Sequence, residues 1–203
     1  MHDVVLYATD TMADWEYGYL TSGLAMAEGA APGRYRLQVL GDGAAEVVTM
    51  GGLRLRTNGA VREVDPAAVA LLVLPGADTW EDGHDEVLAL AHRLLGAGTP
   101  VAAICGATLG LARAGLLDGR GHTSNAPEFL AGTGYAGAAH YRDERVVEDR
   151  DVITAPATMP VDFAAAVFRR LQLFPPTVID AWYGLYTTGE KHWFDRLTAG
   201  AGA

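Results

Sequence analysis

Pro100-Val101-Ala102-Ala103-Ile104-Cys105-Gly106-Ala107-Thr108-Leu109-Gly110 joins a run of aliphatic residues to the chain's only cysteine and then to a run of small residues. Residues 100–104 read as a short strand buried on both faces, because an unbroken apolar run has no side to offer to water. The small residues open a helix that reaches Ala114, where Gly115 supplies a cap. A strand that passes into a helix through a cysteine has the outline of a nucleophile elbow. There the positive end of the helix would favour a thiolate, and the Gly106 amide would point at a developing oxyanion. Cys105 is accordingly expected to be ionised near neutrality. The competing fate is a cysteine packed as a small hydrophobe, the commoner one for a lone Cys in an apolar run. Position favours a functional role, since doubly wound sheets place ligands beyond the carboxyl ends of their strands.

Similar aliphatic runs lie outward of this stretch at residues 4–8, 35–40 and 69–74. Residues 15–28 and 85–97 have helical periodicity; in the second, Val87, Leu90, Ala91, Leu94 and Leu95 recur at three and four. This alternation predicts an α/β fold with a doubly wound, mostly parallel sheet. Gly51-Gly52 predicts a hairpin over 47–55 that gives the sheet an antiparallel extension. A second hairpin is expected over 145–154, a helix over 160–171 and, after Pro175-Pro176, a final helix over 177–197. That last segment is the most aromatic part of the chain, with Trp182, Tyr183, Tyr186, Trp193 and Phe194. It either packs back on the domain or forms a dimer surface. No linker divides the chain, so residues 1–203 are expected to form one domain.

A formal charge of −10, from 15 basic and 25 acidic side chains, argues against a nucleic-acid partner, which needs clustered Lys and Arg. One cysteine forms no internal disulfide, and the absence of a Cys pair or His-x-His spacing argues against a metal; no cofactor is expected. The apolar runs fall short of the ~20 residues that cross a bilayer, and no basic segment precedes the first of them. A cytoplasmic protein without a signal peptide or membrane partner is expected.

Two further segments should meet Cys105: Leu74-Pro75-Gly76-Ala77-Asp78 at the end of a strand, and Asp14-Trp15-Glu16-Tyr17-Gly18 at the start of a helix. Together with Ala103-Ile104-Cys105-Gly106, with Ala114-Gly115-Leu116-Leu117-Asp118-Gly119-Arg120 and Thr123-Ser124, and with Val152-Ile153-Thr154-Ala155 leading to Asp162-Phe163-Ala164, they carry a resemblance. Over nearly its full length the chain resembles the PfpI/ThiJ superfamily of the class I glutamine amidotransferase-like fold. The resemblance implies a flavodoxin-like three-layer α/β/α sandwich, a homodimer and a reactive cysteine. It implies that Cys105 is the nucleophile and that Glu16 is an inward, protonated carboxyl group bonded to the sulfur. The amides of Gly76, Ala77 and Gly106 would line an anion pocket.

Many members carry a His where this chain reads Thr123-Ser124-Asn125, and Asn125 cannot act as a base. His122, in an extended strand, would face away from Asn125. His84 and His140 remain as loop candidates. Trp15, Trp80, Asn125, Glu128 and His140 are expected around the substrate. The expected activity is Cys105-dependent attack on a small-molecule electrophile: an aldehyde, ketoaldehyde, amide or isonitrile. The alternatives are a redox sensor or stress-protective protein in which Cys105 is oxidised, and a binding module with a vestigial site.

Overall fold

The computed structural model describes residues 1–200, and the last three residues of the expected 1–203 domain lie outside the described residues. The chain runs β1 (His2–Tyr7), α1 (Asp14–Ala30), β2 (Tyr35–Gly41), β3 (Glu46–Val48), β4 (Arg54–Arg56), β5 (Gly59–Ala60), β6 (Val69–Leu74) and α2 (Asp85–Gly96). It continues through β7 (Val101–Ile104), α3 (Gly106–Arg113), α4 (Pro127–Ala131), β8 (Val147–Asp149), β9 (Val152–Ala155), α5 (Pro160–Leu171), α6 (Pro176–Thr188) and α7 (Lys191–Gly200).

The aliphatic runs become strands covered on both faces. In β1, Val5 and Tyr7 join one core with Leu72 and Leu74 of β6, Leu90 of α2 and Leu111 of α3. Val4 and Leu6 point the other way, to Leu20 and Leu24 of α1 and Phe163 and Phe168 of α5. Alternate residues of one strand thus feed two cores, which is why these segments read as unbroken hydrophobic runs. The result is the expected flavodoxin-like sandwich, with sheet order β5-β2-β1-β6-β7-β9-β8, parallel except where β8 meets β9. The chain leaves β1 towards β2 on one side and returns to β6 on the other. This reversal opens a crevice at the strands' carboxyl ends.

Two expectations are corrected. The Gly51-Gly52 hairpin forms, but β3 and β4 make a separate two-stranded sheet. It is tied instead to the loop after β1 and to the first residue of α1: Asp10 accepts from Val48 N–H at 2.8 Å and Asp14 from Gly51 N–H at 2.7 Å. The antiparallel extension of the main sheet is the β8–β9 hairpin. The final helix is two helices, because Gly189 takes a left-handed φ of 70° and ends α6. The Trp193 ring of α7 then folds onto Gly184, where a Cβ would lie 2.3 Å from it. No helix among the described residues is long and apolar enough to cross a membrane.

Candidate active site

Cys105 stands between β7 and α3 with φ 57° and ψ −125°. This backbone region is sparsely populated for residues other than glycine and costs about 1–3 kcal/mol. The surroundings hold it there. Its N–H donates to Ala155 O at 3.0 Å, and its carbonyl accepts from Thr108 N–H at 3.1 Å and Thr108 Oγ1 at 2.6 Å. Thr108 Oγ1 is itself 2.6 Å from Ser124 Oγ, so the elbow is braced from a neighbouring segment.

Glu16 enters from α1. Its inward stripe of Glu16, Leu20, Gly23, Leu24 and Ala27 is buried, and Glu16 is 1% exposed. Oε2 accepts from Gly76 N–H at 2.6 Å, whereas Oε1 has no hydrogen-bond partner. Gly76 lies between the two side chains: a Cβ there would fall 2.7 Å from Cys105 Cβ, 2.9 Å from its sulfur and 2.9 Å from Glu16 Oε2. Glycine is required by this close approach. The Gly76 amide, expected in the anion pocket, is consumed by Glu16. That leaves Ala77 N–H, with no hydrogen-bond partner among the described residues, and Gly106 N–H, which faces the thiol. The two loops touch closely enough that a Cβ on Gly106 would lie 2.9 Å from Ala77 O.

Burial pushes the Glu16 carboxyl up to about 7, against the opposing pull of the Gly76 amide and the Cys105 thiol. Burial, followed by the Glu16 charge, pushes the Cys105 thiol up to about 11, while the Asn125 amide and Gly106 N–H act in the opposite sense. Burial and the Glu16 charge both oppose the resting thiolate expected from the sequence, and they favour keeping the proton on sulfur until an acceptor takes it.

Asn125 Nδ2 donates to Cys105 Sγ at 3.4 Å, and its orientation is set by Oδ1 accepting from Ala157 N–H at 2.9 Å. No histidine reaches the sulfur. His84 bonds Tyr7 OH at 2.7 Å and Thr79 Oγ1 at 3.0 Å while stacking on Trp80. His122, fully buried, spans Arg120 O and Tyr135 OH. His140 is exposed on a 3₁₀ turn and does not line the cleft over Cys105. Trp15 is likewise elsewhere. One helical step of about 100° from Glu16, it faces a different cleft with Tyr19, Met26, Trp182 and Tyr186. The Cys105 cleft, about 260 Å³, has Trp80, Asn125, Leu109 and Phe129 among its walls, and Glu128 is not one of them. Sequence reasoning missed Leu109, which lies one turn into the helix that Cys105 opens.

A carboxyl–cysteine pair at the head of a strand–helix elbow, on a flavodoxin-like sandwich, defines the class. The chain belongs to the DJ-1/PfpI family, whose model matches residues 2–170. It is 36% identical over 201 residues to "uncharacterized protease YoaZ" of Bacillus subtilis, covering 96% of this chain and 95% of that one. Among solved structures it is similar to a thiJ/pfpI family protein from Bacillus anthracis, with a TM-score of 0.90, 33% identity and 98% of each chain covered. A DJ-1 superfamily protein, Atu0886 of Agrobacterium tumefaciens, gives a TM-score of 0.81 at 30% identity, over 93% of this chain and 99% of that one.

Glu16→Gln tests the proton's place on the pair. Only the ionised carboxylate accepts the thiol proton, so alkylation of Cys105 is expected to rise through pH ~7 in the parent and to lose that inflection in the variant. The stability effect has a definite sign. A carboxyl raised in the folded state favours folding below its unfolded value, and that contribution is lost as pH rises through about 7. Relative to the parent, Glu16→Gln should therefore melt higher at pH 8 than at pH 5. Parallel melting curves at the two pH values would count against a buried, titrating carboxyl.

Proposed function

We propose that this member of the DJ-1/PfpI family is a cysteine-dependent enzyme acting on a small electrophile: an aldehyde, ketoaldehyde, amide or isonitrile. The supporting observation is the juxtaposition, across Gly76, of Cys105 with a buried carboxyl group whose Oε1 is unpartnered. For a carbonyl substrate, Cys105 sulfur forms a bond to the carbonyl carbon while the thiol proton passes to Glu16. The electron pair of the C=O bond moves onto oxygen, which the Ala77 and Gly106 amides receive. For an amide, Glu16 gives that proton to the amine as the carbon–nitrogen bond breaks, and water then attacks the thioester carbon, one of its protons going to the sulfur as the carbon–sulfur bond breaks and releases the acid. The protease name given to the Bacillus subtilis relative supports keeping amides among the substrates. The test is a screen of small carbonyl, amide and isonitrile compounds with the parent and Cys105→Ser. Turnover lost in the serine variant supports this reading, and turnover retained overturns it.

Asn125 favours a second reading, in which peroxide oxidises Cys105 and the Nδ2 donor steadies the oxygenated sulfur. Peroxide-dependent mass gain on Cys105 without turnover on any compound would select it.

We also infer a homodimer. Trp15 (52% exposed), Met26 (65%) and Tyr186 (50%) surround an outward cleft of about 420 Å³, an apolar surface of the kind that copies of a chain cover. Sedimentation of the parent is expected to give twice the chain mass, and Met26→Glu with Tyr186→Glu the single mass. A monomeric parent would refute the inference.

A further inference from the structure

The Cys105 cleft does not end at Leu109. Leu109 and Arg113, four apart on α3, form a floor that continues from Cys105 at the helix's N-terminal end. An adjoining cavity of about 430 Å³ shares Glu81, Leu109 and Phe129 with the first and ends at Arg113 and Thr133. Eight residues of helix make this trough about 12 Å long, much longer than a three-carbon aldehyde requires.

Its charges are unevenly used. Asp78 and Glu81 line the wall beside the sulfur, and among the described residues neither side chain has an ion pair or hydrogen bond. The loop that carries them is fixed: Asp78 N–H donates to Thr11 Oγ1 at 2.9 Å, and the Trp80 indole donates to Pro75 O at 2.9 Å. Arg113, the cation at the far end, is already engaged, donating to Trp80 O at 2.9 Å with Asp82 at 3.7 Å. Behind Cys105, and not among the residues lining either cavity, lies the Glu16 carboxyl, 1% exposed, with its unpartnered Oε1. Leu109 and Phe129 supply apolar walls, while the Asp78 and Glu81 side chains are exposed to solvent.

We propose that the Cys105 cleft selects elongated, positively charged electrophiles, through the unpaired carboxylates of Asp78 and Glu81 and the apolar wall of Leu109 and Phe129. This specificity rests on the reading of Cys105 as a nucleophile. A cationic amine a few ångströms from the reacting carbon would lie against the two carboxylates, and an aliphatic stretch would follow the floor of α3. Clefts lined by one sign of charge concentrate the opposite sign and raise encounter rates by about tenfold or more.

Methanethiosulfonates test this without knowledge of the substrate. Cys105 sulfur displaces methanesulfinate and becomes a disulfide, its proton going to solvent, and the mass gain gives the rate. The trimethylammonium-ethyl reagent is expected to outpace the sulfonato-ethyl reagent by about tenfold or more, after division by their ratio on free cysteine. Asp78→Asn with Glu81→Gln should collapse that ratio to within about twofold, while Glu63→Gln with Glu148→Gln, an equal charge change outside the cleft, should preserve it. A parent ratio near one, or a ratio that survives Asp78→Asn with Glu81→Gln, overturns the selectivity. Protection of Cys105 by hexylammonium should exceed that by methylammonium or hexanoate, and equal protection overturns the elongated class. A thiol that even neutral methyl methanethiosulfonate fails to modify removes the nucleophile reading itself, a result distinct from an unselective cleft.

Discussion

Cys105→Ser is expected to lower turnover by about 10³-fold or more, the scale seen when a nucleophile that works as a unit with its partners is removed. A serine hydroxyl is far less acidic than a thiol, and a Glu16 carboxyl held at about 7 is too weak a base to activate it. The backbone should not notice. Serine keeps a Cβ at φ 57°, so the strain of the elbow and the brace through Thr108 and Ser124 remain. Circular dichroism melting together with kcat/KM separates the two effects: an intact fold with lost activity is the expected pair. Activity retained within an order of magnitude would move the chemistry away from residue 105.

Gly76→Ala should have the next largest effect, and on both quantities. The new methyl group would sit 2.7 Å from Cys105 Cβ and 2.9 Å from both the sulfur and Glu16 Oε2, inside any permitted contact. Overpacking of this kind destabilises by about 1–3 kcal/mol. Relief requires Cys105 or Glu16 to shift, and a displacement of about 1 Å at reacting groups is enough to cost 10²-fold in rate. Thermal unfolding and kcat/KM measured on one preparation test both halves. A variant with a lowered melting temperature but full activity would show that the Glu16–Cys105 approach is not needed for the chemistry.

The central strands and the elbow were legible because each leaves a local mark: an unbroken aliphatic run, and a cysteine followed by small residues. The inward Glu16 was named by the family resemblance, since an acidic first turn equally fits charges that face solvent. What was not legible depends on the third dimension. Gly51-Gly52 announced a hairpin, but which sheet it joins is decided by Asp10 and Asp14 reaching its backbone from far along the chain. Gly189 lay within a segment of high helical content, and its capping role required a left-handed angle that composition does not display. The Gly76 amide was read as free because a turn shows its donors but not what claims them, and Glu16 does so across 60 positions. Trp15 was expected around the substrate, but as Glu16's neighbour on a helix it points in a different direction. The burial that opposes the thiol's ionisation was hidden for a related reason. A helix N-terminus is visible in a sequence, whereas the water excluded from around a sulfur atom is not.

The left-handed backbone at Cys105 also has an evolutionary reading. Cysteine, serine and alanine all bear a conformational cost there that glycine does not, so the thiol's usefulness offsets a standing strain. A descendant that no longer needed the thiol would gain stability by replacing it with glycine, and would gain nothing by exchanging it for alanine or serine. Glycine at this position should therefore mark the lineages in which the chemistry has lapsed, whereas any other side chain there implies that something still selects for it.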